Sequence, residues 1–166
     1  KIYKMLVFMP MAISFVGAGI IWKFMYAYRG PAQDQIGLIN QLIVGAGGEP
    51  QQILQNTPWN TLALIIVMIW IQTGFAMTVL SAAIKGVPTE QIEAANLDGA
   101  SPWQRFTNVT VPGIRSSLVV VVTTISIATL KVFDIVRTMT GGNFDTSVVA
   151  NEMYTQAFRA GEPGRG

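Results

Sequence analysis

Few side chains in this sequence are able to do covalent chemistry. It holds no histidine and no cysteine, so the commonest general base, the commonest metal ligand and the thiolate nucleophile are all missing. Disulfide frameworks and thiolate metal sites are excluded on the same ground. Two charged residues stand inside one apolar run, Lys131 and Asp134. On a helix they lie three apart on one face, near enough to pair. Charge within a bilayer is costly and usually faces a bundle interior or a wet cavity. Two readings stay open: a polar point beside a solute path, or a structural ion pair near the outer interface with Lys131 snorkelling. Gln72, Thr73, Thr123, Thr124 and Ser126 are further polar groups in apolar surroundings. They can donate to a hydroxylated solute or bond between helices, and the residue types do not separate these roles. Lys131, Asp134, Gln72 and Thr124 are the solute-path candidates. An intramembrane aspartyl enzyme needs two carboxylates in apolar runs, and Asp134 stands alone there. The chain is therefore expected not to be an enzyme and to hold no metal or cofactor of its own.

The elements that would position these groups are apolar and long. Hydrophobic residues make up 51% of the 166 and charged residues 12%, about half the usual soluble share. Three runs reach the roughly 20 residues that a helix needs to cross a bilayer: about Met5–Met25, Leu62–Ile84 and Leu118–Val136. Pro10 and the pair Gly17/Gly19 interrupt the first, while Trp22, Tyr26 and Tyr28 gather at its far end, where amphipathic rings favour an interface. The third is rich in β-branched residues but too long for an ordinary strand. It lacks the strict alternation of a membrane barrel, so a helix is expected. The expected fold class is all-α, a polytopic membrane helix bundle. Residues 27–58, rich in Gly, Gln, Asn and Pro, read as an exposed loop with a short helix near Ile36–Val44. A short helix at the membrane surface is expected over about 146–159, capped by Asp145 or Thr146, with Val149, Met153 and Ala157 as its apolar stripe. A net charge of +2 without a basic stripe gives no nucleic-acid surface. Lys1, Lys4 and the following apolar run imitate a signal peptide, but no small-residue cleavage site follows. The chain reads as an internal piece of a longer protein.

The hydrophilic link from Lys85 to Arg115 is too long for a plain helix–helix turn, and it has internal order. Pro88 sits where a helix can start, and Glu90 and Glu93 lie near that start, favourable for the helix dipole. Gly99 supplies a helix end. Ser101-Pro102-Trp103-Gln104 reads as a second start, with Ser101 as N-cap, Pro102 as first helical residue and Gln104 completing a capping box. Pro112-Gly113 is expected to break that second helix. Ile92, Leu97, Trp103 and Phe106 would stabilise the pair if buried, yet so short a segment makes no core alone. It needs a surface to dock against.

Within this link, Glu93-Ala94-Ala95-Asn96-Leu97-Asp98-Gly99-Ala100, then Phe106, Val109 and Pro112, resembles the EAA loop of type I ABC importer permeases: Glu-Ala-Ala, a Gly beyond it, and a Pro about a dozen residues further on. Val87-Pro88 fits the usual lead-in. Leu130-Lys131-Val132-Phe133-Asp134, Thr140-Gly141-Gly142 and Tyr154-Thr155-Gln156-Ala157-Phe158 are similar to the carbohydrate-uptake branch, of maltose or α-glucoside type. Where that branch usually has Thr-Gly-Gly-Gly-Pro, this chain has Thr140-Gly141-Gly142-Asn143-Phe144.

The resemblance implies an ABC importer transmembrane domain, in part, with a two-helix cytoplasmic coupling loop over 85–115. Glu93, Ala94, Ala95, Asp98, Gly99 and Ala100 would engage a cytoplasmic ATPase, and Pro88, Ser101, Phe106 and Pro112 would shape the loop. ATP and Mg would sit on a partner ABC ATPase dimer. A second permease subunit, an extracytoplasmic sugar-binding protein and membrane lipid are the other implied partners, in a bacterial inner membrane crossed several times. The chain would start inside, with 27–58 and 141–159 outside. The five basic residues on each side do not set this orientation, which rests on the resemblance. Two alternatives remain: a permease of the same family for a non-sugar solute, and a fragment of an ion-coupled secondary transporter, to which broken helices and an intramembrane Lys/Asp pair would be suited.

Overall fold

A computed structural model describes residues 7–160 and Gly164, and among them the regular structure is helical throughout, with no strand. Lys1, Lys4 and the first two residues of the expected first run lie outside the described residues, as does Arg165.

The first apolar run is not one helix. A 3₁₀ turn, Met9–Ala12, carries Pro10, and the chain is then extended through Ile13 and Ser14 before α1 (Phe15–Met25) begins. The break belongs to Ser14, whose Oγ accepts from the Gly17 amide at 3.1 Å and caps the new helix. A serine gains more at an N-cap than inside a helix. Gly17 and Gly19, expected as interruptions, are helical. Tyr26, expected at an interface, is buried beside Trp22, with ring centroids 5.4 Å apart.

Within the following segment α2 (Leu38–Gly45) forms the short helix. Asn40 is fully buried there, and its side-chain amide donates to the carbonyls of Ala27 (3.0 Å) and Gln51 (3.1 Å) while its oxygen accepts from the Gln51 amide (2.7 Å). One side chain thus ties both ends of the excursion, whose Ile39, Ile53 and Leu54 pack against the core, and it satisfies backbone groups that would be costly to leave bare.

Helix α3 (Trp59–Lys85) has 27 residues and is long and apolar enough to cross a membrane. Ala63, Leu64, Val67, Ile71 and Gly74 form its buried stripe, while Ile65, Ile66 and Ile69 are exposed on other faces. A helix apolar all round belongs in a non-aqueous setting on every side. Next come α4 (Thr89–Leu97) and α5 (Pro102–Gly113), then α6 (Arg115–Leu130), bent by 69° from α5. The third apolar run ends there: Lys131, Val132 and Phe133 leave helical geometry and α7 (Asp134–Met139) starts afresh. Lys131 and Asp134 therefore do not share a helical face, which corrects the expected pairing. Asp134 opens the first turn of α7 and Lys131 caps the last turn of α6. Each charge complements a different helix terminus.

The core joins α1, α3 and α7 through Ala18, Tyr26, Ala63, Leu64, Val67, Ile71, Ile135, Val136 and Met139. Gly19 lets α7 approach closely, since a Cβ there would lie 3.1 Å from the Cβ of Thr138. The last helix, α8 (Val149–Tyr154), runs on as a π-helical turn, Thr155–Arg159. Its N-cap is Val148, not Asp145 or Thr146, because Thr146 is buried in the preceding turn. Of the expected apolar stripe, Val149 and Met153 are exposed, while Asn151 on another face is buried.

Candidate functional site

The segment between α3 and α6 is built from local rules. Pro88 is the N-cap of α4, one residue earlier than the first-helical position where proline is favoured, and Glu90 lies in its first turn. The other end closes on Gly99, whose φ is +77°. The Ala100 amide donates to the Ala95 carbonyl at 3.0 Å and the Gly99 amide to the Asn96 carbonyl at 3.1 Å. Both bonds of a Schellman motif are present, and the left-handed residue it requires is the glycine. Two residues on, Ser101 Oγ accepts from the Gln104 amide (3.3 Å), and the Ser101 amide donates to Gln104 Oε1 (2.8 Å). This is the capping box, with Pro102 directly after the cap.

Helix α5 does not stop at Pro112. Residues Phe106–Thr110 open into a π-helical turn in which the Val111 amide donates to the Phe106 carbonyl. Proline offers no amide and its ring clashes with the carbonyl four residues back, here Asn108. Widening the turn ahead of Pro112 relieves that clash. The break comes at Ile114, which is buried, as is Val87 at the other end of the link; a Cβ on Gly113 would lie 3.3 Å from Val87. The base of the helix pair is thereby clasped and the rest projects. No residue of α4 or α5 is buried. Leu97 is 89% exposed, Trp103 71% and Phe106 44%, although Trp103 and Phe106 rings touch at 5.7 Å. Glu93, Ala94, Asp98 and Gly99 are exposed, and Ala95 and Ala100 are half-buried. Large apolar side chains held outward on a capped frame make this pair the candidate docking surface.

A second feature is an apolar cleft of about 480 Å³ between α3, α6, α7 and the segment 145–148. Leu64, Met68, Ile125 and Ile135 are among its walls. Of the polar residues singled out in the sequence, Gln72 and Thr73 line it. Thr124 does not, being exposed on another face of α6, and neither do Lys131 and Asp134. The Thr73 and Thr129 hydroxyls donate to carbonyls one turn back, Ile69 at 2.6 Å and Ile125 at 2.8 Å, which leaves Gln72 the longest polar reach from the helical walls. Asp145, Thr146 and Ser147 also line the cleft and were not foreseen as site residues. Asn60, fully buried at the start of α3, is not among the sequence candidates; its one signal is a polar side chain just ahead of the Leu62–Ile84 run.

A family model described as binding-protein-dependent transport system inner membrane component matches residues 1–161. The chain is 54% identical to the alpha-glucoside transport system permease protein AglF of Rhizobium meliloti (strain 1021), over all of the chain and 50% of that protein. It is 53% identical to the osmoprotective compounds uptake permease protein GgtC of Synechocystis sp., over 99% of the chain and 59% of that protein. The chain thus spans about half the length of these relatives. Among solved structures, a bacterial ABC transporter involved in the import of the acidic polysaccharide alginate superposes with a TM-score of 0.85 at 22% identity, covering 99% of the chain and 56% of its counterpart. That likeness establishes a shared fold, the partial transmembrane domain of an ABC importer. By the match over residues 1–161, the chain belongs to the family of binding-protein-dependent transport system inner membrane components.

Proposed function

We propose that the chain forms part of the permease of an ATP-driven importer that moves a sugar or glycoside across a bacterial inner membrane, which the whole protein crosses several times. The observation that carries this is the helix pair α4–α5, capped at Gly99 and Ser101, free of buried residues and set between apolar helices. In this reading the pair seats in a cytoplasmic ABC ATPase. Glu93 meets a basic group, Ala94 and Ala95 permit close approach, and the Schellman turn at Gly99 fixes the angle between the two helices. Asp98 and Ala100 flank that turn, and Pro88, Ser101, Phe106 and Pro112 keep its shape. ATP and Mg belong to the ATPase dimer, so hydrolysis is not a property of this chain. A second permease subunit and an extracytoplasmic binding protein complete the machine. The cleft beside Gln72 is the solute path, and Lys131, Asp134 and Thr124 lie off it, at helix ends or on an outer face.

The test is ATPase association and solute uptake by the full-length permease, in vesicles with its binding protein and ATPase, for Glu93→Lys and Gly99→Asp. Loss of association with normal membrane insertion is the expected result. Normal association and uptake in both variants would make the segment a passive linker. A second reading, a permease for compatible solutes, draws on the 53% identity to an osmoprotective compounds uptake permease. Uptake of sugars against methylamine osmolytes separates the two.

A further inference from the structure

The turn after α7 is strained and pinned. Phe144 and Asp145 both have positive φ, +57° and +60°. Such a conformation is uncommon for a bulky side chain and persists only where the surroundings impose it. Here they do. The Phe144 carbonyl accepts from the side-chain amide of Asn60 at 2.6 Å, across 84 residues of sequence, and from the Thr57 hydroxyl at 3.4 Å. Asn60 is fully buried, and its own oxygen is taken by the Thr61 amide at 2.7 Å. On the far side of the turn, the buried Thr146 hydroxyl lies 2.6 Å from both the Thr140 hydroxyl and the Asn143 carbonyl. Gly141 and Gly142, at φ +69° and +83°, let the chain reach this position.

The outcome of this bracing is the placement of one residue. Among the described residues lining the cleft, Asp145 is the single charged one; the others are apolar, hydroxyl-bearing or the Gln72 amide. It is exposed, on the segment 145–148, and Thr61, next to the Asn60 latch, lines the same cleft. A carboxylate-bearing residue kept on the wall of an apolar cleft by a strained turn and a buried latch is the pattern of a recognition group, since backbone strain concentrates at such sites. A carboxylate only accepts hydrogen bonds, and two or more hydroxyls of one pyranose can donate to it. It repels a carboxylated sugar by the same charge.

We infer that Asp145, held in place by Asn60, is a specificity-determining residue that selects neutral hydroxylated glycosides over acidic ones at the cleft. This rests on the importer reading above, and deepens it by naming the charge class of the solute. Asn60 is a positioning residue.

The experiment uses the full-length permease with its partner subunit, ATPase and binding protein in proteoliposomes. Uptake of labelled maltose, trehalose and sucrose is compared with that of digalacturonate. Wild type is expected to take at least one neutral disaccharide and to discriminate against the uronide. Asp145→Asn should raise KM for the neutral sugar about tenfold, the loss of one charge-assisted hydrogen bond, and narrow the discrimination. Asp145→Glu should restore the discrimination. Asn60→Ser should raise KM in the same direction, and adding Phe144→Gly, which removes the strain that the latch opposes, should bring it back. Equal uptake of neutral and acidic sugars by wild type, or an unchanged KM and selectivity in Asp145→Asn, overturns the inference with the importer reading intact. A wild-type assembly that moves none of these solutes, neutral or acidic, sinks the sugar reading itself and this inference with it.

Discussion

Replacing Gly99 with alanine isolates a single backbone angle. No atom lies within 4 Å of where the new Cβ would sit, so no clash arises, and the effect comes from φ alone, +77°. An L-residue in the left-handed region is disfavoured by about 1–2 kcal/mol. Alanine also narrows the unfolded ensemble, which returns about 0.4–1 kcal/mol. The net loss is about 1 kcal/mol at the end of α4, roughly a fivefold shift in an equilibrium. It falls on the two bonds that close the helix, Ala100 to Ala95 and Gly99 to Asn96. Hydrogen exchange at those two amides in the full-length assembly should therefore quicken about fivefold, and ATPase association should weaken by a similar factor. Gly99→Asn should lie between wild type and alanine, because asparagine visits this region more readily. The reasoning is refuted if Asn impairs association as much as Ala with no change in exchange. The glycine would then matter for the space it leaves to a docked partner.

Two further changes test the packing. Asn40→Ala strips partners from the Ala27 and Gln51 carbonyls and from the Gln51 amide, a loss of about 3 kcal/mol if each group is only partly rehydrated. Limited proteolysis between residues 27 and 58 should accelerate strongly while the rest of the chain is cut as before, and an unchanged rate would show that the buried amide is not what orders the segment. Gly19→Leu forces atoms into a site where even a Cβ would lie 3.1 Å from Thr138. It should destabilise the α1–α7 pair by about 2–3 kcal/mol, an overpacking penalty, visible as a lower melting point in detergent. Gly30→Ala, which has nothing within 4 Å, is its control and should melt with wild type.

The legible parts of this fold are those governed by neighbours in sequence. The Ser101–Gln104 box is fixed by two residues three apart, and the end of α4 by a glycine, the residue that adopts the required angle at least cost. The helix over Leu38–Gly45 and the all-helical class also follow from composition and spacing. What escaped depends on partners far along the chain. The Asn60 bond to Phe144 spans 84 residues, and nothing near Asn60 announces it. Tyr26 reads as interfacial until α3 and α7 are placed around it. The end of α6 at Leu130 was hidden because Lys131 and Asp134 suit either one continuous helix, as a pair, or two separate helix termini, and local spacing fits both. Asp145 read as a cap for α8 for the same reason: an aspartate before a helix is a good cap in general, and only the bracing of Thr146 shows that the chain is still turning there.

The 69° bend at Ile114 makes α5 and α6 the two arms of a bell crank. Ile114 is the pivot, kept from sliding by its burial beside the Val87–Gly113 clasp. The arm from Pro102 to Gly113 is about 18 Å long at 1.5 Å per residue. A thrust along that arm projects only by about a third onto the axis of α6, by the cosine of the bend, and the remainder acts crosswise as a turning force. A displacement delivered at Trp103 thus reaches the far end of α6 chiefly as a swing. That far end is Ile125 and Thr129, which stand on the wall of the cleft.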